Sequence, residues 1–168
     1  VIFPLSIGIV TIVKVHVILG SKSEYRTNIN NAINKINEYK GKDYIVFHNP
    51  TFMGVTSATR ELFDNLVPCH DIFRKSDSKK IARTILKNDI KNVYFSAFGY
   101  NWEYIIKYIK KYNKNIIIKV YWHASHSQIL DTWGWERNQK FVDLQRNGLV
   151  DQIALCKESL VGYYKSEG

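Results

Sequence analysis

A chain of 168 residues that is 45% hydrophobic and 14% aromatic has apolar material for one substantial core, which excludes a disordered chain. Its 24 Lys and Arg against 15 Asp and Glu leave a formal charge of +9, which favours anionic partners without choosing among membrane headgroups, nucleic acid and phosphorylated substrates. The two cysteines, Cys69 and Cys156, lie far apart with no neighbouring metal-ligand spacing and read as free, reduced thiols.

The opening VIFPLSIGIVTIV is apolar for 13 residues before Lys14. That is short of the ~20 residues that cross a bilayer, and neither a basic start nor a clear cleavage site marks it as a secretory signal. Residues 12–19 are expected to be a buried strand, with 1–11 as its extension or a leader. Ser21 with Glu24 has the capping-box spacing of a helix start, and Ile29, Ala32, Ile33 and Ile36 then repeat on one helical face that Gly41 ends.

A strand at 44–47 leads through NPTFMG into a helix carrying Ala58, Leu62, Phe63 and Leu66, stopped by Pro68. A short apolar piece follows near Ile72. Asp77 then opens a helix with Ile81, Ala82, Ile85 and Leu86 inward and Lys79, Lys80, Arg83 and Lys87 outward. A strand at 93–97 precedes a helix capped by Asn101 that buries Ile105, Ile106 and Ile109. The run at 116–121 is dense in β-branched residues and enters WHASHSQ directly. A helix at 137–147 ends at Gly148, a strand at 150–155 follows, and a last helix begins near Lys157. No repeat, low-complexity tract or linker divides the chain. The alternation predicts one α/β domain over 1–168: a Rossmann-like open parallel sheet with helices on both faces, in three layers.

In such a sheet, ligands bind outside the carboxyl ends of the strands. Three polar, aromatic loops occupy those ends: His48 to Thr56, Phe98 to Trp102, and Trp122 to Gln128. Gly54 stands just before a helix start beside Thr56 and Ser57, where backbone amides meet a phosphate or sugar hydroxyl; a simple turn requirement is the plainer reading. His123 and His126, interleaved with Ser125, Ser127 and Gln128 and preceded by Trp122, fit hydrogen bonding to sugar hydroxyls. Their rivals are metal binding, for which no acidic or cysteine partner lies close, and histidines that satisfy local backbone groups. Asn101 and Trp102 complete the candidate substrate-binding set. Trp133 and Trp135 either stack on a sugar or pack as core. The lysine-rich faces, including Lys107, Lys110, Lys111 and Lys114, are solvated helix surfaces or dock onto an anionic membrane.

At these residues the chain resembles the N-terminal domain of GT-B glycosyltransferases, in particular the retaining family 4, over about residues 44 to 168. Gly54 before a helix with Glu61 and Leu62 is similar to that family's glycine-rich first loop, with one glycine in place of the usual pair. IIIKVYWH resembles the strand that ends in a histidine beside the acceptor and the transferred sugar. VDQIALCKESLVGYY resembles the last strand and helix before the crossover, with Lys157 and Ser159 in the usual spacing. Residues 1–40 precede the family's first strand. A second likeness, of VILGSKSEY to the phosphate loop of aminoimidazole ribonucleotide carboxylase, fails because that family's serine-alanine-histidine-arginine run is missing.

The resemblance implies a hexosyltransferase-like activity, moving sugar from a nucleotide-sugar to a glycan or lipid-linked acceptor in polysaccharide or envelope synthesis. His123 would act as the catalytic-site histidine, and the Gly54 and Val55 amides would face the donor phosphate and sugar. It implies no metal and no cofactor beyond the nucleotide-sugar co-substrate. The expected location is cytoplasmic, peripheral on the inner membrane face, with no nucleic-acid partner. The donor-binding domain is expected to lie outside these 168 residues, which alone would be inactive. The alternative is a non-enzymatic basic α/β module binding nucleic acid or an anionic surface; a domain keeping the fold for acceptor recruitment is a third reading.

Overall fold

In the computed structural model five short runs, β1 (Tyr44–His48), β2 (Leu66–Pro68), β3 (Asn92–Ser96), β4 (Ile117–Trp122) and β5 (Gln152–Leu155), form one parallel sheet in the order β2-β1-β3-β4-β5. The structure describes the backbone of residues 5–123 and 132–166, and side chains from Lys22 onward except those of 124–135, Ser159, Tyr163, Tyr164 and 167–168. The helices are α1 (Leu5–Glu38), α2 (Met53–Leu62), α3 (Lys75–Lys87), α4 (Glu103–Tyr112), α5 (Thr132–Arg146) and the short α6 (Val161–Ser166), which follows a 3-10 turn at Glu158–Leu160.

Parallel neighbours need right-handed crossovers. The β1-to-β2 step runs one way along the sheet and the next three run the other way, so α2 covers one face while α3, α4 and α5 cover the opposite one. The result is the predicted Rossmann-like α/β/α arrangement, with α1 against α3 and β2.

Alternation along the strands sends Ile45, Phe47, Val93, Phe95, Ile118, Val120 and Trp122 to the face with more helices. There Phe47 stacks on Phe95 at 5.2 Å, Trp102 closes over both, and Phe141 of α5 packs on Trp122 at 4.8 Å. Each such side chain removed from water contributes about 1.5–3 kcal/mol, which makes this face the main core. The other face carries Tyr44, Tyr94 and Tyr121, half-buried, with Phe63 just beyond α2 edge-on to Tyr121 at 4.8 Å.

Four expectations change. Residues 12–19 are not a strand but lie inside α1, which runs past Ser21 and Glu24, so these do not start a helix. An unbroken apolar run carries no period that tells strand from helix, and here it continues into the Ile29 face without a stop. The helix expected to reach Leu66 ends at Leu62, and 66–68 is the edge strand β2. Ile72, the short apolar piece, is buried in the loop between β2 and α3, its N–H donating to the Tyr100 carbonyl. Asn101 does not cap α4: its φ is 62° and its amide donates to the Ile72 carbonyl. α1 ends at Glu38, and Gly41, at φ 73°, lies in the turn three residues on, its N–H donating to the Asn88 carbonyl and not back to the helix. Among the described residues, no helix is long and apolar enough to cross a membrane.

Candidate functional site

The chain leaves β1 towards β2 over one face of the sheet and leaves β3 towards β4 over the other. The loops therefore part at the carboxyl ends of β1 and β3, the place where open α/β sheets hold ligands. His48 ends β1 and Ser96 ends β3, while Asn49, His123 and Cys156 directly follow β1, β4 and β5. Because Tyr94 and Tyr121 point towards the α2 face, Ser96 and His123, two residues further on, do so as well.

A chain of hydrogen bonds fixes the chemistry of His123. Thr59, in α2, donates its hydroxyl proton to the Val55 carbonyl at 2.6 Å. A carbonyl only accepts, so Thr59 Oγ1 must accept from Ser96 Oγ, 2.5 Å away. Ser96 has then used its one proton and accepts from His123 Nε2 at 2.8 Å. The neutral imidazole thus carries its proton on Nε2 and leaves Nδ1 bare. Nδ1 faces Cys156 Sγ at 3.3 Å, which donates to it. Thr59 and Ser96 are fully buried, while His123 is half-buried and Cys156 exposed. Burial alone holds the His123 pKa below 6.5, and burial likewise pushes the Cys156 thiol up. The resting pair is neutral thiol and neutral imidazole, so Nδ1 is a proton acceptor rather than a cation.

The same logic applies to His48. Thr56 donates to the Asn49 carbonyl at 3.2 Å and so accepts from His48 Nδ1 at 3.3 Å, giving the opposite tautomer. His48 is 3% exposed; burial, then Arg60 and His70, lower its pKa. A clamp stands beside it. Asp71 accepts from the Tyr100 N–H at 2.8 Å, from Asn49 at 3.4 Å and from Arg137 at 3.3 Å, while Arg137 also donates to the Phe98 carbonyl at 2.9 Å. Three rim loops and α5 are tied through one carboxylate.

Gly54 and Val55 lie in the first turn of α2, on the same rim as His123 and linked to it through the Val55 carbonyl. Thr56 is the first residue to bond back, to the Phe52 carbonyl at 2.8 Å, so the preceding amides have no intrahelical partner and no side chain caps them. A Cβ at Gly54 would meet nothing within 4 Å, so local packing does not demand glycine there.

Other predicted residues are placed differently. Trp102 is fully buried, its indole N–H donating to the His70 carbonyl at 3.2 Å, and Trp122 is 4% exposed against Phe141. Neither indole offers a face to a ligand, because the strand and loop alternation points both into the core. Thr56 and Asn101 are buried and engaged with the protein. Ser125, His126, Ser127 and Gln128 lie outside the described residues, as do the side chains of Trp133 and Trp135. Sequence reasoning missed Thr59, Ser96, Asp71, Arg137 and Cys156 as parts of this rim. Only Ser96, a hydroxyl ending an otherwise apolar strand, carried a visible signal.

No family model, curated protein or solved structure matches this chain. Its chemistry is therefore read from its own groups. Among the described residues no three His, Cys, Asp or Glu side chains converge as metal ligands do. The rim combines an oriented proton acceptor, Nδ1 of His123, with a helix start that favours anions.

Proposed function

We propose that this domain forms the acceptor side of a glycosyltransferase cleft of the GT-B type, serving transfer of sugar from a nucleotide-sugar to a hydroxyl of a glycan or lipid-linked acceptor. In that transfer the acceptor oxygen bonds to the anomeric carbon as the bond from that carbon to the diphosphate oxygen breaks, and the hydroxyl proton must leave. The observation carrying the reading is the bare Nδ1 of His123, held in one tautomer through Ser96 and Thr59 on the rim where α2 begins. A sugar hydroxyl that displaces the Cys156 thiol from Nδ1 takes over that acceptor, and the α2 amides favour phosphate oxygens. Residues outside this chain would stabilise the departing diphosphate, in a cytoplasmic enzyme peripheral to the membrane.

The test is amide NMR of the 168-residue chain titrated with nucleotide-sugars and disaccharides. Shifts concentrated on Gly54, Val55, Ser96 and His123, and lost in His123→Ala, are expected. The competing reading, a basic module for nucleic acid, rests on the +9 charge. It predicts oligonucleotide binding that weakens steeply with salt and leaves the rim resonances unmoved by sugars, an outcome that would reject the transferase.

A further inference from the structure

Lys22 and Arg26 stand one turn apart on α1, where its sequence changes from an apolar run to a polar one. They line a groove of about 350 Å³ together with Arg74 and Lys80 from the start of α3. The groove holds one carboxylate, Asp77, and that group is buried and engaged by the Tyr25 hydroxyl at 2.8 Å and by Lys80 at 3.1 Å. Lys22, Arg26 and Arg74 are exposed and form no ion pair with any described carboxylate. α3 begins here without a side-chain cap, so its dipole adds to the positive potential. Lys80 is matched by the one carboxylate, which leaves three of the four cations, Lys22, Arg26 and Arg74, without a described partner.

We propose that this groove binds a phosphate group, and that the phosphate is the headgroup of an anionic phospholipid. The volume suits one headgroup rather than a polymer track. Residues 5–20 of α1 hold a single formal charge, Lys14, so the helix runs from an apolar sequence straight into the groove. Basic residues next to such a stretch act on anionic headgroups at the membrane surface, and adsorption of this kind requires no crossing. The inference gives a site to the peripheral membrane location proposed above, rests on that location alone, and needs no sugar transfer for its test.

The experiment is sedimentation of the full chain with phosphatidylcholine vesicles, with and without phosphatidylglycerol. The wild-type chain is expected to partition onto the anionic vesicles only. The double reversal Arg26→Glu with Arg74→Glu is expected to weaken partitioning at least about 25-fold, taking about fivefold for each cation removed. The control pair Lys107→Glu with Lys111→Glu on α4 carries the same change in net charge and is expected to have far less effect. Melting temperatures check folding, and Arg26→Gln with Arg74→Gln replaces the reversal if it unfolds. Equal losses from both pairs would mean a diffuse charge effect and overturn the site. No preference for anionic vesicles would overturn it too, and displacement by inorganic pyrophosphate would overturn the assignment to lipid in favour of a soluble phosphate.

Discussion

Replacing Ser96 with alanine removes the second of the two hydroxyls, Thr59 and Ser96, that pass the orientation of the Val55 carbonyl on to His123. In the wild type, Nε2 donates to Ser96 Oγ at 2.8 Å and Nδ1 receives the Cys156 thiol. A neutral hydrogen bond contributes about 0.5–1.5 kcal/mol net, and 1.4 kcal/mol is a tenfold ratio. Ser96→Ala is therefore expected to move the Nε2–H to Nδ1–H ratio about two- to tenfold towards Nδ1–H. Because Ser96 and Thr59 are both fully buried, Thr59 also loses its donor, and stability should fall by about 1–3 kcal/mol. Imidazole nitrogen shifts in a histidine-labelled sample separate the two tautomers directly, and a denaturant titration gives the stability. Ser96→Cys retains only a weak donor and a weak acceptor and should fall between. A wild-type His123 protonated on Nδ1, or a tautomer ratio indifferent to Ser96→Ala, would show that the chain does not set the imidazole.

Gly99 offers a sharper steric test. A Cβ there would sit 2.4 Å from the fully buried Trp102 indole, so Gly99→Ala should destabilise by about 1–3 kcal/mol, read as a lower denaturation midpoint with an unchanged slope. The pH dependence follows from the two histidines. Both have folded-state pKa values below the ordinary 6.5, so the folded chain binds fewer protons than the unfolded one as acid is added. Their contribution is complete above pH 6.5 and is lost as pH falls from there through the depressed folded values. Melting temperature should decline over that window, and less so in the doubly substituted His48→Gln, His123→Gln chain.

The sheet was legible because its inner strands read as short β-branched or aromatic runs between amphipathic helices, and four of the five strands fall within a residue or two of expectation. β2 was not, because three residues ending in a proline carry almost no periodic signal. α1 misled because apolar content without a period is silent about helix or strand. At the rim, His123 stood out by its neighbours in sequence, whereas its true partners are 27, 33 and 64 positions away, at Ser96, Cys156 and, through Ser96, Thr59. Such pairings arise only when strand register and a helix across the sheet face bring them together. The tryptophans failed in the opposite way. An indole beside a polar loop looks like a binding platform until strand alternation decides which side it takes.

Pro68 has a consequence for how this molecule meets its own copies. In β2 the Asn65 carbonyl and the Cys69 N–H both bond to β1, so Leu66 and Pro68 turn their backbone outward. Proline lacks the donor that an added strand would need, and it therefore closes that border of the sheet without weakening the pairing inside. Growth by strand addition is left to the opposite border along β5, where charged replacements should have the larger effect on aggregation.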